Sequence, residues 1–298
     1  MDAAETEFHT SISLPIFEMT AIITAIIYII QTMPTDVIRR KMLVRLLPEG
    51  GIATRAWLID KGFTRHALDN LVKSEQLTSV VPGVYIRPDT RPTWQDLVYF
   101  LQTELGLNLT IGGLTALDLL GLSHYLPFAS KKKIHLYGTD ALPSWLTKLA
   151  IDAEFQWHSD WVLIGRRQAT TKNNSKQTLQ TFTLTQPWKE GKGGLVISSP
   201  ERALLEVLCD VPDEISFEHA DQLMQGMTSL SPRSLQALLE QCENIKVRRL
   251  FFWLADRQPH AWRDKLHPEK ISFGSGKRML VKGGTLDKKY NITIPKSL

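Results

Sequence analysis

From Pro34 onward, apolar residues fall at helical spacing, then switch to short alternating runs. Thr35 to Leu47 carries Ile38, Met42, Leu43 and Leu46 on one stripe, the period of a half-buried helix. Pro48-Glu49-Gly50-Gly51 closes it. A threonine hydroxyl accepts from a free N–H of the first helical turn. On that ground Thr54 caps a helix Arg55 to Lys61, with Ala56, Trp57 and Leu58 directed to the core. Gly62 stands where a left-handed residue ends it. Thr64 caps the next helix, which runs to Lys73. Phe63 and Leu68 occupy the two positions of a hydrophobic staple. Ala67, Leu68, Leu71 and Val72 form its apolar stripe, while Arg65, His66, Asp69, Asn70 and Lys73 share the other face. Two short β-runs then flank Pro82-Gly83, a pair suited to the central positions of a tight turn. Two helices joined by a short turn and followed by a hairpin predict a winged helix-turn-helix.

Beyond it, Arg87 to Pro92 reads as a linker and Trp94 to Leu105 as a helix. Gly112-Gly113 opens a helix burying Leu114, Leu117 and Leu120, with Asp118 at its edge and Gly121 at its end. Lys131-Lys132-Lys133 leads into a strand Ile134 to Tyr137. Further strands are expected at Phe155 to Trp157, Trp161 to Ile164, Leu179 to Leu184 and Leu195 to Ser198. Arg166 to Lys176 is a polar loop. Ser199-Pro200-Glu201 and Ser231-Pro232 have the cap-then-proline signature of helix starts, and Ser216 begins another helix. Ile245 to Arg257 predicts a strongly apolar helix from which Arg248, Arg249 and Arg257 project. The fold class expected is α+β. A winged helix-turn-helix over 34–90 precedes a larger mixed α/β C-terminal domain over 93–298 with several helices.

Composition changes little in this picture. The 298 residues are 43% hydrophobic and 22% charged, ordinary globular material. A formal net charge of +4 permits nucleic-acid contact without demanding it. Cys209 and Cys242 give neither a disulfide framework nor a metal spacing; buried thiols in a reducing cytoplasm are expected. Residues 1–33 stand apart. Ile22 to Ile30 is apolar but too short for a membrane span, and Asp2, Glu5 and Glu7 replace the basic start of a signal peptide. A packing helix, an aggregation-prone tail and a stretch outside the working protein are the open readings. Met33 and Met42 are plausible later starts.

The chemistry-bearing residues point to binding rather than catalysis. Arg and Asn are suited to bidentate reading of guanine and adenine edges. Arg65, His66 and Asn70 are therefore the expected base readers, with Thr64, Lys73 and Arg87 on phosphate and Arg55 on the backbone from the preceding helix. The alternative is a solvated face on a generic small α+β domain. Gly112-Gly113 fits neither phosphate-loop nor dinucleotide spacing, and Gly276-Lys277 is followed by Arg278 rather than Ser or Thr. His124 reads as a structural histidine and the lysine triplet as a solvated run with some reach to phosphate. The acidic string Asp210 to Glu218 is broken by Pro212 and reads as loop and solvent-facing helix start. No hydrolase elbow, zinc-protease or nucleotidyltransferase motif is present in the sequence. No enzyme activity, cofactor or metal is expected.

The order of motifs resembles the AbiEi family of antitoxins from AbiE-type abortive-infection toxin–antitoxin operons. The likeness rests on the two capped helices, Pro-Gly-Val-Tyr at 82–85 and Gly-Gly-Leu-Thr-Ala-Leu-Asp-Leu-Leu-Gly-Leu at 112–122. It continues in Ser-Ser-Pro-Glu-Arg-Ala-Leu-Leu-Glu at 198–206 and Lys-Gly-Gly-Thr-Leu-Asp-Lys-Lys-Tyr-Asn-Ile at 282–292, spanning about Pro34 to Leu298. The resemblance implies two jobs. The winged helix would bind operator DNA and repress its own operon. The C-terminal domain would counteract a nucleotidyltransferase-type toxin, directly or indirectly, as in type IV systems. The basic tail residues Lys277, Arg278, Lys282, Lys288 and Lys289 are candidates to face toxin or nucleic acid. An ordinary winged-helix regulator without a toxin, and a partner-binding antitoxin without a DNA role, are the alternatives.

Overall fold

The computed structural model describes residues 35–47, 50–123, 131–160, 162–164, 181–189 and 193–296. The expectations for residues 1–33, His124, Trp161 and the loop 166–176 lie outside them. The chain divides after Pro48 into two units. The described part of the first is helix α1 (Thr35–Leu46), on which Leu43 is buried.

The second unit opens with strand β1 (Ile52–Thr54), helix α2 (Arg55–Asp60) and helix α3 (Arg65–Lys73). The cap chemistry read from sequence is in place. Thr54 Oγ1 accepts from Trp57 N and Thr64 Oγ1 from Ala67 N, each at 3.2 Å. Gly62 takes φ +95°, ending α2 where a side chain would be strained. Leu58, Phe63, Ala67, Leu68 and Leu71 are buried together with Trp57, whereas Ala56 is exposed rather than in the core. Strands β2 (Thr78–Val81) and β3 (Val84–Ile86) form the expected hairpin about Pro82-Gly83, with Gly83 at φ +79°. The antiparallel order is β1-β3-β2. The Arg55 amide donates to Gly83 O at 2.8 Å, tying the hairpin turn to the start of α2.

Helix α4 (Trp94–Tyr99) starts from a capping box in which Thr93 and Asp96 satisfy one another's orphan donors. It widens into a π-turn over Phe100–Glu104, where a uniform helix to Leu105 was expected. Trp57 of α2 meets Phe100 edge-on, ring centroids 5.6 Å apart, and so joins the helix-turn-helix to this element.

A five-stranded sheet follows. Its strands are β4 (Leu109–Ile111), β5 (Lys132–Gly138), β6 (Ala153–Ser159), β7 (Thr183–Pro187) and β8 (Gly194–Ser198), in the order β6-β5-β4-β8-β7. β4 runs parallel to β8 and antiparallel to β5, while β5 and β6 are parallel. Residues 162–164 form a helical turn, not the expected strand. Helix α5 (Gly113–Leu119) follows β4, and helix α6 (Pro200–Cys209) follows β8. Because β4 and β8 are parallel neighbours, α5 and α6 leave the sheet from the same end of those strands. On α5 it is Thr115, Ala116 and Leu117 that are buried, with Leu114 and Leu120 only partly covered.

Helices α7 (Phe217–Gly226), α8 (Pro232–Gln241) and α9 (Ile245–Ala255) pack around α6 in the main core. Serines 199, 216 and 231 cap α6, α7 and α8 as expected. Arg248 and Arg249, expected to project from α9, are buried. Arg248 donates to the carbonyls of Leu239, Glu240 and Ser272, and Arg249 to those of Phe273, Gly274, Gly276 and Asn291. An irregular tail leaves many carbonyls without strand partners, and a guanidinium fork supplies donors to several at once. The tail ends in a small sheet of β9 (Arg278–Met279), β10 (Thr285–Asp287) and β11 (Ile292–Ile294). No helix among the described residues is long and apolar enough to cross a membrane.

Candidate functional site

Two constellations stand out: the outer face of α3 with the hairpin, and a buried polar node beneath the large sheet. On α3 the apolar stripe faces inward, so Arg65, His66, Asp69, Asn70 and Lys73 are all exposed. His66 and Asn70 lie one turn apart, with Asn70 Nδ2 3.2 Å from His66 Nε2. Thr64 is exposed, but its hydroxyl is engaged as the cap. Arg55 is already partnered: its Nε and Nη2 donate to Tyr85 Oη at 2.9 and 2.7 Å, and Asp69 lies 4.0 Å from Nη2. Arg55 thus links α2, α3 and β3, and its side chain is still 48% exposed. Arg87 follows β3 and is half-buried.

The basic tail residues do not form one free surface. Lys289 Nζ donates to Asp256 at 2.5 Å, and the Tyr290 hydroxyl meets the same oxygen. Lys277, Arg278, Lys282 and Lys288 are exposed. In the lysine triplet, Lys132 pairs with Asp118, and Lys133 lies 3.7 Å from Glu214.

The buried node joins residues far apart in sequence. Glu206, on α6, is fully buried. Its Oε2 accepts from Gly113 N at 2.9 Å, and its Oε1 accepts from Arg202 Nε at 2.7 Å and Ser198 Oγ at 3.1 Å. Arg202 Nη2 also reaches Asp160 Oδ1 at 3.1 Å. Burial pulls Arg202 down, but Glu206 and Asp160 hold it above the ordinary arginine value, fixing its charge. Burial pushes Glu206 upward against the pull of Arg202 and of the Gly113 donor. A buried ion pair is tolerable only when its remaining hydrogen-bonding capacity is filled, as here. The glycine pair opening α5 has its explanation in this node. A Cβ on Gly112 would stand 2.2 Å from Glu206 Oε2 and 2.4 Å from the Tyr137 ring. Close backbone approach to a carboxylate and a ring, not phosphate, is what these glycines serve.

Beside the node, three residues that sequence spacing kept apart converge. His135 on β5 and His158 on β6 face one another, His135 Nδ1 3.1 Å from His158 Nε2. Asp210, at the end of α6, joins them, with the three ligand-type atoms all within 4.8 Å of one another. Burial brings His135 down to about 4, His158 and Lys133 adding to the effect. Burial pushes Asp210 up to about 6, with Glu214 adding and Lys246 opposing. Tyr137 stacks on His158, centroids 4.5 Å apart, and its hydroxyl is buried with no hydrogen-bond partner among the described residues. The only sequence signal was Asp210 within an acidic string that reads as loop; the parallel pairing of β5 with β6 brings the two histidines together.

Comparison with known proteins covers both parts of the chain. Residues 38–128 match a family model described as the N-terminal domain of the AbiEi antitoxin, a transcriptional regulator. Residues 131–295 match one described as a transcriptional regulator, AbiEi antitoxin, type IV TA system. No curated protein matches the chain. Among solved structures, the crystal structure of the RV2827C protein from Mycobacterium tuberculosis is similar with a TM-score of 0.50 at 17% identity. The match covers 87% of this chain and 91% of that one. That likeness is one of fold. The matched models span both the helix-turn-helix region and the sheet with its buried node, and the chain belongs to the AbiEi antitoxin family, the transcriptional regulators of type IV toxin–antitoxin systems.

Proposed function

We propose that this antitoxin represses its own operon by binding operator DNA through α3 and the β2–β3 wing. Residues 93–298 counteract a cognate nucleotidyltransferase-type toxin. The observation that carries the DNA reading is the outer face of α3. It offers Arg65, His66, Asn70 and Lys73 to solvent on a helix whose opposite face is locked into the core. A recognition helix needs that division, because base-reading side chains must be held in register while they stay open to solvent. Arg65, His66 and Asn70 read base edges; Thr64, Lys73 and Arg87 meet phosphate. Arg55, half exposed and braced by Tyr85, meets the backbone from α2.

The toxin reading rests on family membership and on the size of the second part. The exposed Lys277, Arg278, Lys282 and Lys288 are its candidate contacts with toxin or nucleic acid; Lys289 is bound to Asp256.

A titration of the full chain against DNA from upstream of its own reading frame, with random DNA of equal length at the same salt, tests the first job. Preference for the upstream DNA is expected; equal affinity sinks the operator reading. Co-expression with the neighbouring toxin tests the second. A variant of α3 that loses repression should still restore growth, and loss of both together would count against two separable jobs.

A further inference from the structure

The geometry points to a binding site for one divalent transition-metal ion of the zinc class, held by His135, His158 and Asp210. The three come from β5, β6 and the end of α6, so one ion would fasten the sheet to the helix that carries Arg202 and Glu206. At metal–ligand distances of about 2.0–2.1 Å, two ligands of a tetrahedral ion stand about 3.3 Å apart. His135 Nδ1 and His158 Nε2 are 3.1 Å apart, close to that separation. The Asp210 oxygen lies within 4.8 Å of both, on a half-buried side chain at a helix end. Two imidazoles and a carboxylate favour zinc and its neighbours over magnesium or calcium, which prefer all-oxygen cages. Three protein ligands leave a position open.

An aromatic ring closes one side of the triad. The Tyr137 hydroxyl is buried without a partner among the described residues, on a ring stacked against His158. Buried hydroxyls are seldom left unpaired. A neutral hydrogen bond between the two histidines explains their contact but not the approach of Asp210. The neighbouring cations are engaged elsewhere: Lys133 lies beside Glu214, and Lys246 Nζ donates to the carbonyls of Cys209 and Val211.

Titration of the full chain with cobalt(II), read by visible absorption and reversed by zinc, tests the site. We expect one equivalent to bind with a rise in unfolding temperature that chelator abolishes. His158→Phe keeps the ring stack and Asp210→Asn keeps the shape; each should weaken binding by at least about tenfold, since even second-shell losses reach that size. His267→Ala removes the exposed His267–Glu269 pair, whose atoms lie 3.0 Å apart, and should leave binding unchanged. Absence of saturable binding by the folded wild-type chain overturns the proposal. So does binding that survives in His158→Phe, whether or not Asp210→Asn folds.

Discussion

The Gly113 amide donates to Glu206 Oε2 at 2.9 Å, closing a contact across 93 residues of sequence. Glu206 also fills two of the demands of Arg202 and Ser198. Replacing it by Ala leaves Arg202 buried without its closest acid partner, Asp160 still in reach. A buried pair broken from one side typically costs about 3–5 kcal/mol. Equilibrium urea unfolding of Glu206→Ala should show a loss of that order, with Glu206→Gln losing less because its amide oxygen still accepts. A loss under about 1 kcal/mol for the alanine variant would show that the node contributes little.

Gly112→Ala attacks the same contact from the other side. Its backbone φ of −134° suits any residue, so no backbone strain is at stake. The cost is steric, from a Cβ 2.2 Å from Glu206 Oε2 and 2.4 Å from the Tyr137 ring. Both neighbours are held by buried packing, so the expected penalty is about 1–3 kcal/mol, the range for overpacking. Thermal unfolding of Gly112→Ala beside Glu206→Ala and the double variant checks this. The two penalties should fall short of additivity, since removing the carboxylate removes one of the two clashes.

What was legible in the sequence was local. Thr54, Thr64, Ser199, Ser216 and Ser231 announce their helices because a cap acts within three residues. Pro82-Gly83 announces its turn for the same reason. The stripe on α3 assigns inside and outside because its apolar positions repeat at the helical period. The order β6-β5-β4-β8-β7 was not legible, since nothing local records which strands pair. Hence His135, His158 and Asp210 could not be associated. Arg248 and Arg249 looked like projecting charges because their acceptors are backbone carbonyls 8 to 42 residues away, which no side-chain pattern reveals. The π-turn at Phe100–Glu104 was missed because its sequence reads as a continuing helix.

Asp96 gives a pH dependence with a definite sign. It is 5% exposed and accepts from Lys189 Nζ at 2.7 Å and from the Thr93 amide and hydroxyl. Burial pushes its carboxyl up, but those hydrogen bonds outweigh burial and hold it below the ordinary value. A group depressed in the folded state stabilises above its unfolded value and loses that contribution as pH falls through the folded one. Wild type should therefore exceed Asp96→Asn in unfolding temperature near neutrality. The gap should narrow below about pH 4, where the unfolded carboxyl takes up its proton. A gap that widens on acidification would reverse the assignment.

Arg249 holds the tail. It is 1% exposed and donates to Phe273 O and Gly276 O at 2.7 Å and to Asn291 O at 3.0 Å. Arg249→Met keeps much of the stem but leaves those carbonyls without their donor. Hydrogen bonds to a charged group contribute roughly 1.5–3 kcal/mol each, so a total loss of roughly 3 kcal/mol or more is expected. Hydrogen exchange should localise it, with faster exchange across β9–β11 than in β4 and β5. Uniform acceleration over both sheets would mean the tail has no separate anchor.

Asn70 is the sharpest test of the proposed recognition face. Its Nδ2 stands 3.2 Å from His66 Nε2, which orients the amide on an exposed side chain. An outward amide with one donor and one acceptor matches an adenine edge. Asn70→Ala should cost about 1–3 kcal/mol on the operator and little on random DNA. Lys73→Ala removes a positive charge at the end of α3 and should weaken both sequences alike, lowering the salt slope by about one. His66→Ala should mimic Asn70→Ala in weaker form, because an amide freed from its neighbour loses orientation before it loses its chemistry. Fluorescence anisotropy on both DNAs at several salt concentrations separates the three. Parallel losses for Asn70→Ala and Lys73→Ala on both DNAs would make α3 a phosphate-binding surface, and specificity would then have to lie in the wing or in the shape of the DNA.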